Sequence, residues 1–173
     1  MKIGGFQKPS LLDYPDRISA IVWTSGCNFR CPFCYNKNLA LGTAELFPHD
    51  EILSFLLKRK TLLEGVVISG GEPLLHDDLV DFIKKIKNLQ LLVKIDTNGA
   101  FPEQLRELLE QQLVDYIAMD VKAPKKKYSQ LTGIKIDLSK IEASIEIIKT
   151  KAPAYEFKTT FIPGLLTKED IIE

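Results

Sequence analysis

The chain has 173 residues, of which 45% are hydrophobic and 27% are charged, and these proportions are those of an ordinary globular protein. Because 23 basic residues balance 23 acidic ones, there is no net charge that would favour general binding to nucleic acids or membranes. The N-terminal residues lack the apolar run of a signal peptide, and no later run is long enough to span a membrane. We therefore expect one domain over residues 1–173, with a cytoplasmic location and no nucleic acid or membrane as a partner.

Short apolar or β-branched runs alternate along the chain with longer stretches of helical periodicity. The predicted strands are Ser19–Thr24, Val66–Ser69, Leu91–Asp96, Tyr116–Asp120 and Glu156–Ile162. The predicted helices are His49–Lys60, Leu75–Asn88, Pro102–Gln111 and Leu138–Lys149, and Asp137 is the expected N-cap of the last one. This alternation predicts an α/β fold with a parallel sheet and right-handed crossovers, either a layer or an open barrel.

The C-terminal residues 167–170 have the pattern that caps the start of another helix, but the last residue, Glu173, follows soon afterwards. We therefore expect the fold to lack its last strand–helix unit. No Rossmann glycine fingerprint or P-loop follows any predicted strand, so nucleotide phosphate binding of those types is not expected.

All three cysteines of the chain, Cys27, Cys31 and Cys34, lie in one short segment with the spacing CxxxCxxC. An odd number of clustered thiols argues against a disulfide framework and favours a metal site. Three thiolates could bind three irons of a four-iron cluster and leave the fourth iron open to a small molecule. Alternatively, three thiolates with His49 or His76 could complete a zinc site, although neither histidine has the spacing of the usual zinc knuckles.

Polar segments follow the other predicted strands at the points where those strands end. Their candidate binding residues are Gly70, Gly71, Glu72, Asp96, Thr97, Asp120, Lys122 and Lys158. Because the carboxyl ends of parallel strands meet on one face of a β/α fold, we expect these residues and the cysteines to form one composite site. Each segment taken alone also fits a structural role, as a tight turn or as a solvated lysine.

The cysteine segment, with the aromatic residue Phe33 before its last cysteine, resembles the signature of the radical S-adenosylmethionine (SAM) superfamily. The resemblance implies a partial (β/α)6 open parallel barrel, a [4Fe-4S] cluster on the three cysteines, SAM on the open iron, and Phe33 against the adenine. Gly70-Gly71-Glu72-Pro73 resembles the second motif of the family, whose glycine backbone approaches the amino group of the bound methionine. Asn36 matches the activating-enzyme branch of the family, whereas Tyr35 replaces the histidine that usually precedes this asparagine.

Asp96, Thr97 and Asp120 resemble the residues with which pyruvate formate-lyase activating enzymes hold a monovalent cation beside the methionine carboxylate. The carbonyl of Ala118 would complete that set. Lys122 resembles the lysine that contacts the cofactor carboxylate. Lys158 stands where those enzymes have an arginine, so it keeps the charge but loses the two-pronged carboxylate geometry.

The segments 4–8, 11–15 and 157–164 resemble the longer anaerobic ribonucleotide reductase activating proteins, and the resemblance covers essentially the whole chain. It implies reductive cleavage of SAM by an electron from a flavodoxin- or ferredoxin-like donor, followed by hydrogen abstraction from a glycine of a partner glycyl radical enzyme. Two alternatives stay open at this point. One is a radical SAM enzyme that acts on a small molecule, as deazapurine synthases do, and the other is a non-catalytic metal-binding fragment.

Overall fold

A six-stranded sheet forms the centre of the computed structural model, which describes residues 1–172. The strands lie side by side in chain order. They are β1 (Ile3–Ser10), β2 (Ser19–Thr24), β3 (Gly65–Gly70), β4 (Leu92–Thr97), β5 (Tyr116–Asp120) and β6 (Tyr155–Lys158). Strand β1 pairs antiparallel with β2, and the pairs from β2 to β6 are all parallel. The prediction of an α/β fold around five parallel strands is therefore confirmed.

Helices connect the parallel strands, as right-handed crossovers require. They are α1 (Lys37–Leu41), α2 (His49–Arg59), α3 (Leu79–Lys87), α4 (Pro102–Glu110), α5 (Tyr128–Thr132), α6 (Leu138–Lys151) and α7 (Lys168–Ile172), with 3-10 turns at Pro73–Leu75 and Lys125–Lys127. None of the helices in residues 1–172 combines the length and the apolar character needed to cross a membrane.

The N-cap predicted at Asp137 is present, because its side chain accepts a hydrogen bond from the backbone N–H of Ser139. The predicted start of the last helix is also confirmed. The backbone N–H of Thr167 donates to Asp170 Oδ2 at 2.8 Å, and the N–H of Asp170 donates to Thr167 Oγ1 at 3.4 Å. These reciprocal bonds form a capping box, which satisfies two backbone donors that a helix start otherwise leaves free.

Two of the predicted elements differ from the structure by more than two residues at one end. The helix predicted over Leu75–Asn88 is interrupted, because His76 has an extended backbone (φ −103°, ψ 119°), and the α-helix begins only at Leu79. The last strand ends at Lys158 rather than Ile162. The sequence analysis also missed β1, in which a Cβ on Gly5 would lie 2.8 Å from the ring of Trp23. Glycine at this position therefore allows the tryptophan to pack directly on the backbone of β1.

Alternate residues of the strands face two different apolar layers, as a pleated sheet requires. Val66 and Ile68 belong to the main core between the sheet and the helices. The intervening Val67 packs with Tyr14 and Ile21 in a smaller cluster on the opposite face. The main core therefore lies between the helices and one face of the sheet, and the other face carries a smaller apolar cluster.

Candidate cofactor site

The loop that carries the cysteines runs from the end of β2 to the start of α1. The backbone N–H of Gly26 donates to the carbonyl of Leu39 at 2.7 Å, and that of Cys27 donates to the carbonyl of Ala40 at 3.1 Å. Further along the loop, the N–H of Arg30 donates to the carbonyl of Thr132 at 2.8 Å. These bonds tie the loop to α1 at one end and to α5 at the other, so its path is fixed by the protein.

A cavity of about 320 Å³ lies between the cysteine loop and the carboxyl ends of the strands. All three cysteines and Phe33 line it from the loop side. From the strand side it is lined by Gly70, Gly71, Glu72, Asp96, Thr97, Asp120 and Lys122. The structure thus brings together eleven of the twelve predicted site residues, and only Lys158 is not among the lining residues.

Lys158 lies beside the cavity as an ion-pair partner of Asp96, with 3.7 Å between its Nζ and Asp96 Oδ2. A second lysine, Lys94, is 4% exposed and places its Nζ 3.2 Å from Asp96 Oδ1. This approach is a charge contact without hydrogen-bond geometry, because Oδ1 has no hydrogen-bond partner in the described chain. Two ammonium groups therefore lie beside Asp96, and Lys94 Nζ is also 3.5 Å from Glu156 Oε1. Sequence reasoning missed Lys94. A lysine within an otherwise apolar strand could have indicated a buried ion pair.

Glycines 70 and 71 allow two backbone segments to approach each other closely. Gly70 has a φ of +115°, and a Cβ there would overlap the backbone nitrogen of Thr24. A Cβ on Gly71 would overlap the carbonyl oxygen of Gly26, which accepts a hydrogen bond from the N–H of Glu72 at 2.8 Å. The end of β3 can therefore lie against the end of β2 and against Gly26, which precedes Cys27, only because neither position carries a side chain.

Glu72 was predicted to bind the cofactor, but its carboxylate is engaged within the protein. The side chain is 1% exposed. Its Oε1 accepts hydrogen bonds from the Thr97 hydroxyl at 2.7 Å and the Leu74 N–H at 3.1 Å, and its Oε2 accepts one from the Asn98 N–H at 2.7 Å. Glu72 thus joins the end of β3 to the end of β4, and its predicted part in cofactor binding stays a prediction.

Burial raises the pKa of Glu72 to about 7, even though hydrogen bonds from Asn98, Thr97 and Leu74 and the charge of Lys122 oppose the shift. A folded-state pKa above the usual 4.5 means that the native state binds this proton more tightly than the unfolded state does. The stability contributed by the neutral carboxyl is therefore fully present below pH 4.5 and is lost as the pH rises through 7.

We expect Glu72→Gln to remove this pH dependence, because the amide cannot ionise. The measurement is denaturant unfolding of the metal-free, reduced protein at several pH values. Between pH 4.5 and pH 8, the free energy of unfolding should fall by up to about 3 kcal/mol more in the wild-type chain than in the variant. Glu64→Gln is the matched control. Hydrogen bonds from the backbone of Ile18 and from Arg17 lower the pKa of Glu64, so its contribution is instead lost as the pH falls. Parallel curves for wild type and Glu72→Gln would contradict the prediction.

Thr97 was predicted to help hold a monovalent cation, but its hydroxyl has other partners. It donates to Glu72 Oε1 and accepts a hydrogen bond from the N–H of Gly99 at 3.1 Å. On the neighbouring strand, Asp120 Oδ2 lies 3.1 Å from the Nζ of Lys122. The side chains of the predicted cation set are therefore paired with groups of the protein itself.

Asn98 and Asn28 are part of the site although sequence reasoning assigned them no role. The Nδ2 of Asn98 donates to Asn28 Oδ1 at 2.8 Å and lies 3.8 Å from the sulfur of Cys27. The feature of the sequence that could have indicated a role is that each asparagine directly follows a predicted site residue, Thr97 or Cys27. In a loop, however, an asparagine fits a turn equally well.

The three cysteine thiols all line one cavity, and in a four-iron cluster each thiolate can bind a different iron. Neither His49 nor His76 lines the cavity. Burial raises the pKa of Cys27 to about 11 and also raises that of Cys31, so these thiols must release protons when metal binds.

Comparisons with known proteins give a consistent result. The family model described as the Radical SAM superfamily matches residues 21–173. A protein of Methanocaldococcus jannaschii named "Putative glycyl-radical enzyme activating enzyme" is 35% identical over 177 residues, which cover 98% of this chain and 72% of that protein. A 7-carboxy-7-deazaguanine synthase of Thermoplasma acidophilum is 34% identical over 110 residues, which cover 63% of this chain and 49% of the synthase.

The fold is also similar to that of solved structures. The structure of native anSMEcpe with bound AdoMet superposes with a TM-score of 0.58 at 23% identity, over 78% of this chain and 40% of that one. At this level of identity the likeness shows the fold alone. The chain spans about half or less of the synthase and of this solved chain, and 72% of the archaeal relative.

Proposed function

This chain belongs to the radical SAM superfamily, and we propose that it is an activating enzyme that generates a glycyl radical on a partner enzyme, an anaerobic ribonucleotide reductase. The observation that carries the proposal is the 35% identity, over nearly the whole chain, with a protein named "Putative glycyl-radical enzyme activating enzyme". The grouping of the three cysteines with the strand-end residues around one cavity supports it.

The residues that line the cavity each have a part in this proposal. Cys27, Cys31 and Cys34 hold a [4Fe-4S] cluster, which when bound supplies the electron that splits SAM into methionine and a 5′-deoxyadenosyl radical. Phe33 packs against the adenine. The backbone at Gly70 and Gly71 accommodates the methionine amino group.

Charged residues on the strand side would orient the other end of the cofactor. Lys122 lines the cavity, and its ammonium group would be available to a carboxylate once it releases Asp120. Lys158 holds Asp96 from beside the cavity rather than from within it. A monovalent cation beside Asp96, Thr97 and Asp120 stays a prediction. Lys94 and Lys158 lie beside Asp96, but Lys94 is shared with Glu156, so two ammonium groups face two carboxylates there.

A protein substrate is consistent with how the cavity opens. Tyr35 and Asn36 line it, yet both are exposed, and Tyr35 is 98% exposed. Among the described residues, the cavity is therefore accessible from outside next to Cys34. A loop of a partner protein that carries a glycine could reach the cofactor from this side.

The test is anaerobic reconstitution of the full-length protein with iron and sulfide, followed by addition of dithionite and SAM. We expect 5′-deoxyadenosine to form, and a glycyl radical to be detected by electron spin resonance when an anaerobic ribonucleotide reductase is added. Omission of SAM is the control. A reconstituted protein that releases no 5′-deoxyadenosine would contradict the proposal. In the cell, the electron would come from a flavodoxin- or ferredoxin-like donor, which can replace dithionite in the same assay.

A second candidate is a radical SAM enzyme that acts on a small molecule, because the deazaguanine synthase is 34% identical over 63% of this chain. The same assay separates the two functions. Cleavage of SAM that depends on a deazapurine precursor, with no radical on the added reductase, would favour the small-molecule enzyme.

A further inference from the structure

The side-chain amide of Asn98 points at the sulfur of Cys27 from a buried position. Asn98 is 6% exposed, and its Nδ2 lies 2.8 Å from Asn28 Oδ1 and 3.8 Å from Cys27 Sγ. An asparagine amide has two N–H donors on this nitrogen. One donor therefore serves Asn28, and the other is directed at the sulfur.

The orientation of this amide is fixed by its opposite end. The backbone N–H of Ala100 donates to Asn98 Oδ1 at 3.0 Å, so the oxygen must face Ala100. A flipped amide would place its N–H₂ against that donor and its oxygen against Asn28 Oδ1, which are two repulsive contacts. Asn98 thus presents a donor to Cys27, while Asn28 Oδ1, which also accepts from Asn98 Nδ2, lies 3.9 Å from the same sulfur.

The backbone of Asn98 is held just as firmly. Its N–H donates to Glu72 Oε2 at 2.7 Å, and Glu72 in turn accepts from Leu74 and Thr97. Since Glu72 is almost fully buried, it has no alternative partners in water. The chain of bonds from Glu72 through Asn98 therefore sets the distance between the end of β4 and the cysteine loop.

Cys27 Sγ also accepts a hydrogen bond from the backbone N–H of Phe29 at 3.4 Å. Hydrogen bonds to the sulfurs are among the factors that set the reduction potential of an iron–sulfur cluster, because they stabilise the extra negative charge of the reduced state. Residues that orient metal ligands in this way typically contribute about 10–100-fold to metal affinity.

We propose that Asn98 is a positioning residue of the iron–sulfur site, which raises the reduction potential of the cluster and slows its loss by donating a hydrogen bond from Nδ2 to the Cys27 sulfur. The inference rests on the cluster in the proposed function, but not on the identity of the substrate. It differs from a turn-forming role, which would leave the potential of the cluster unchanged.

The test compares three variants of the reconstituted protein by redox titration monitored by electron spin resonance. Asn98→Ala removes the donor. Asn98→Asp keeps the shape and the acceptor for Ala100 but turns an oxygen towards the sulfur, so we expect a potential lower than in Asn98→Ala, which in turn is lower than wild type. Asn88→Ala, which removes an exposed amide at the end of α3, is the matched control and should match wild type.

Iron release to a chelator provides the second measurement. We expect release from Asn98→Ala to be at least about 10-fold faster than from the control. Equal potentials in wild type and both Asn98 variants, at equal iron content, would overturn the inference while leaving the proposed function intact. If instead the wild-type protein assembled no cluster, the proposed function would fail and this inference with it. An Asn98→Ala chain that melts like the control when metal-free but binds no iron would support the positioning role.

Discussion

Replacement of Cys31 by serine is expected to abolish cluster binding and SAM cleavage together. Serine has almost the same shape, so the loop bonds to Ala40 and Thr132 should survive, but its hydroxyl does not ionise to a ligand for iron as a thiol does. Removal of a ligand should lower metal affinity by more than the roughly 10–100-fold that follows from removal of its hydrogen-bond partners. The measurements are iron and sulfide content after reconstitution and 5′-deoxyadenosine by chromatography. The same outcome is expected for Cys27→Ser and Cys34→Ser.

The histidines supply the control that separates a cluster from a zinc site. His49 bonds the carbonyl of Met1 at 2.6 Å and packs against Phe82 with ring centroids 5.3 Å apart, and His76 also lies outside the cavity. His49→Ala and His76→Ala should therefore keep wild-type iron content and SAM cleavage. A wild-type protein that bound one zinc ion, and lost it in either histidine variant, would contradict the cluster.

Gly71→Ala is expected to disrupt the site without removing any of its functional groups. The new Cβ would overlap the carbonyl oxygen of Gly26, so either the end of β3 or the residue before Cys27 must move. Overpacking of this kind lowers the free energy of unfolding by about 3 kcal/mol at the upper end of its usual range. A shift of about 1 Å in a positioned group can cost roughly 100-fold in rate. The rate of SAM cleavage should therefore fall by roughly 100-fold. Unfolding in urea measures the change in stability.

Gly42→Ala is the matched control for this variant. Gly42 has a φ of +74°, but a Cβ there meets no atom within 4 Å. Its substitution therefore carries only the conformational cost of a left-handed residue, about 1 kcal/mol. We expect the control to lose stability and keep its SAM affinity. If Gly71→Ala bound SAM and cleaved it as well as Gly42→Ala, the close approach of β3 to the cysteine loop would not matter for the cofactor.

Much of the fold follows from patterns that are local in the sequence. Strands β2 and β5 have the predicted bounds, and the caps at Asp137 and Thr167 are present, because each depends on residues a few positions apart. Strand β1 was missed for the opposite reason. Its glycines have little strand propensity, and it is stabilised by pairing with β2 and by the packing of Trp23 on Gly5.

The same distinction applies to the candidate site. Eleven of the residues predicted from the cysteine spacing and from the polar strand ends line one cavity, since the ends of parallel strands meet on one side of a sheet. Sequence spacing could not show which of these residues face the cavity with free groups. The carboxylate of Glu72 and the hydroxyl of Thr97 proved to be bonded to each other.

The sequence by itself therefore determined the cysteine loop, the parallel α/β architecture and the edge of the sheet where the candidate site lies. These features depend on periodicity and on ligand spacing within short segments. Only the tertiary structure decided that Glu72 fixes Asn98, that Asn98 directs its amide at Cys27, and that Lys94 and Lys158 share Asp96. The reason is physical: a hydrogen bond or an ion pair between residues distant in the chain depends on their separation in space, which the packing of several strands and loops sets together.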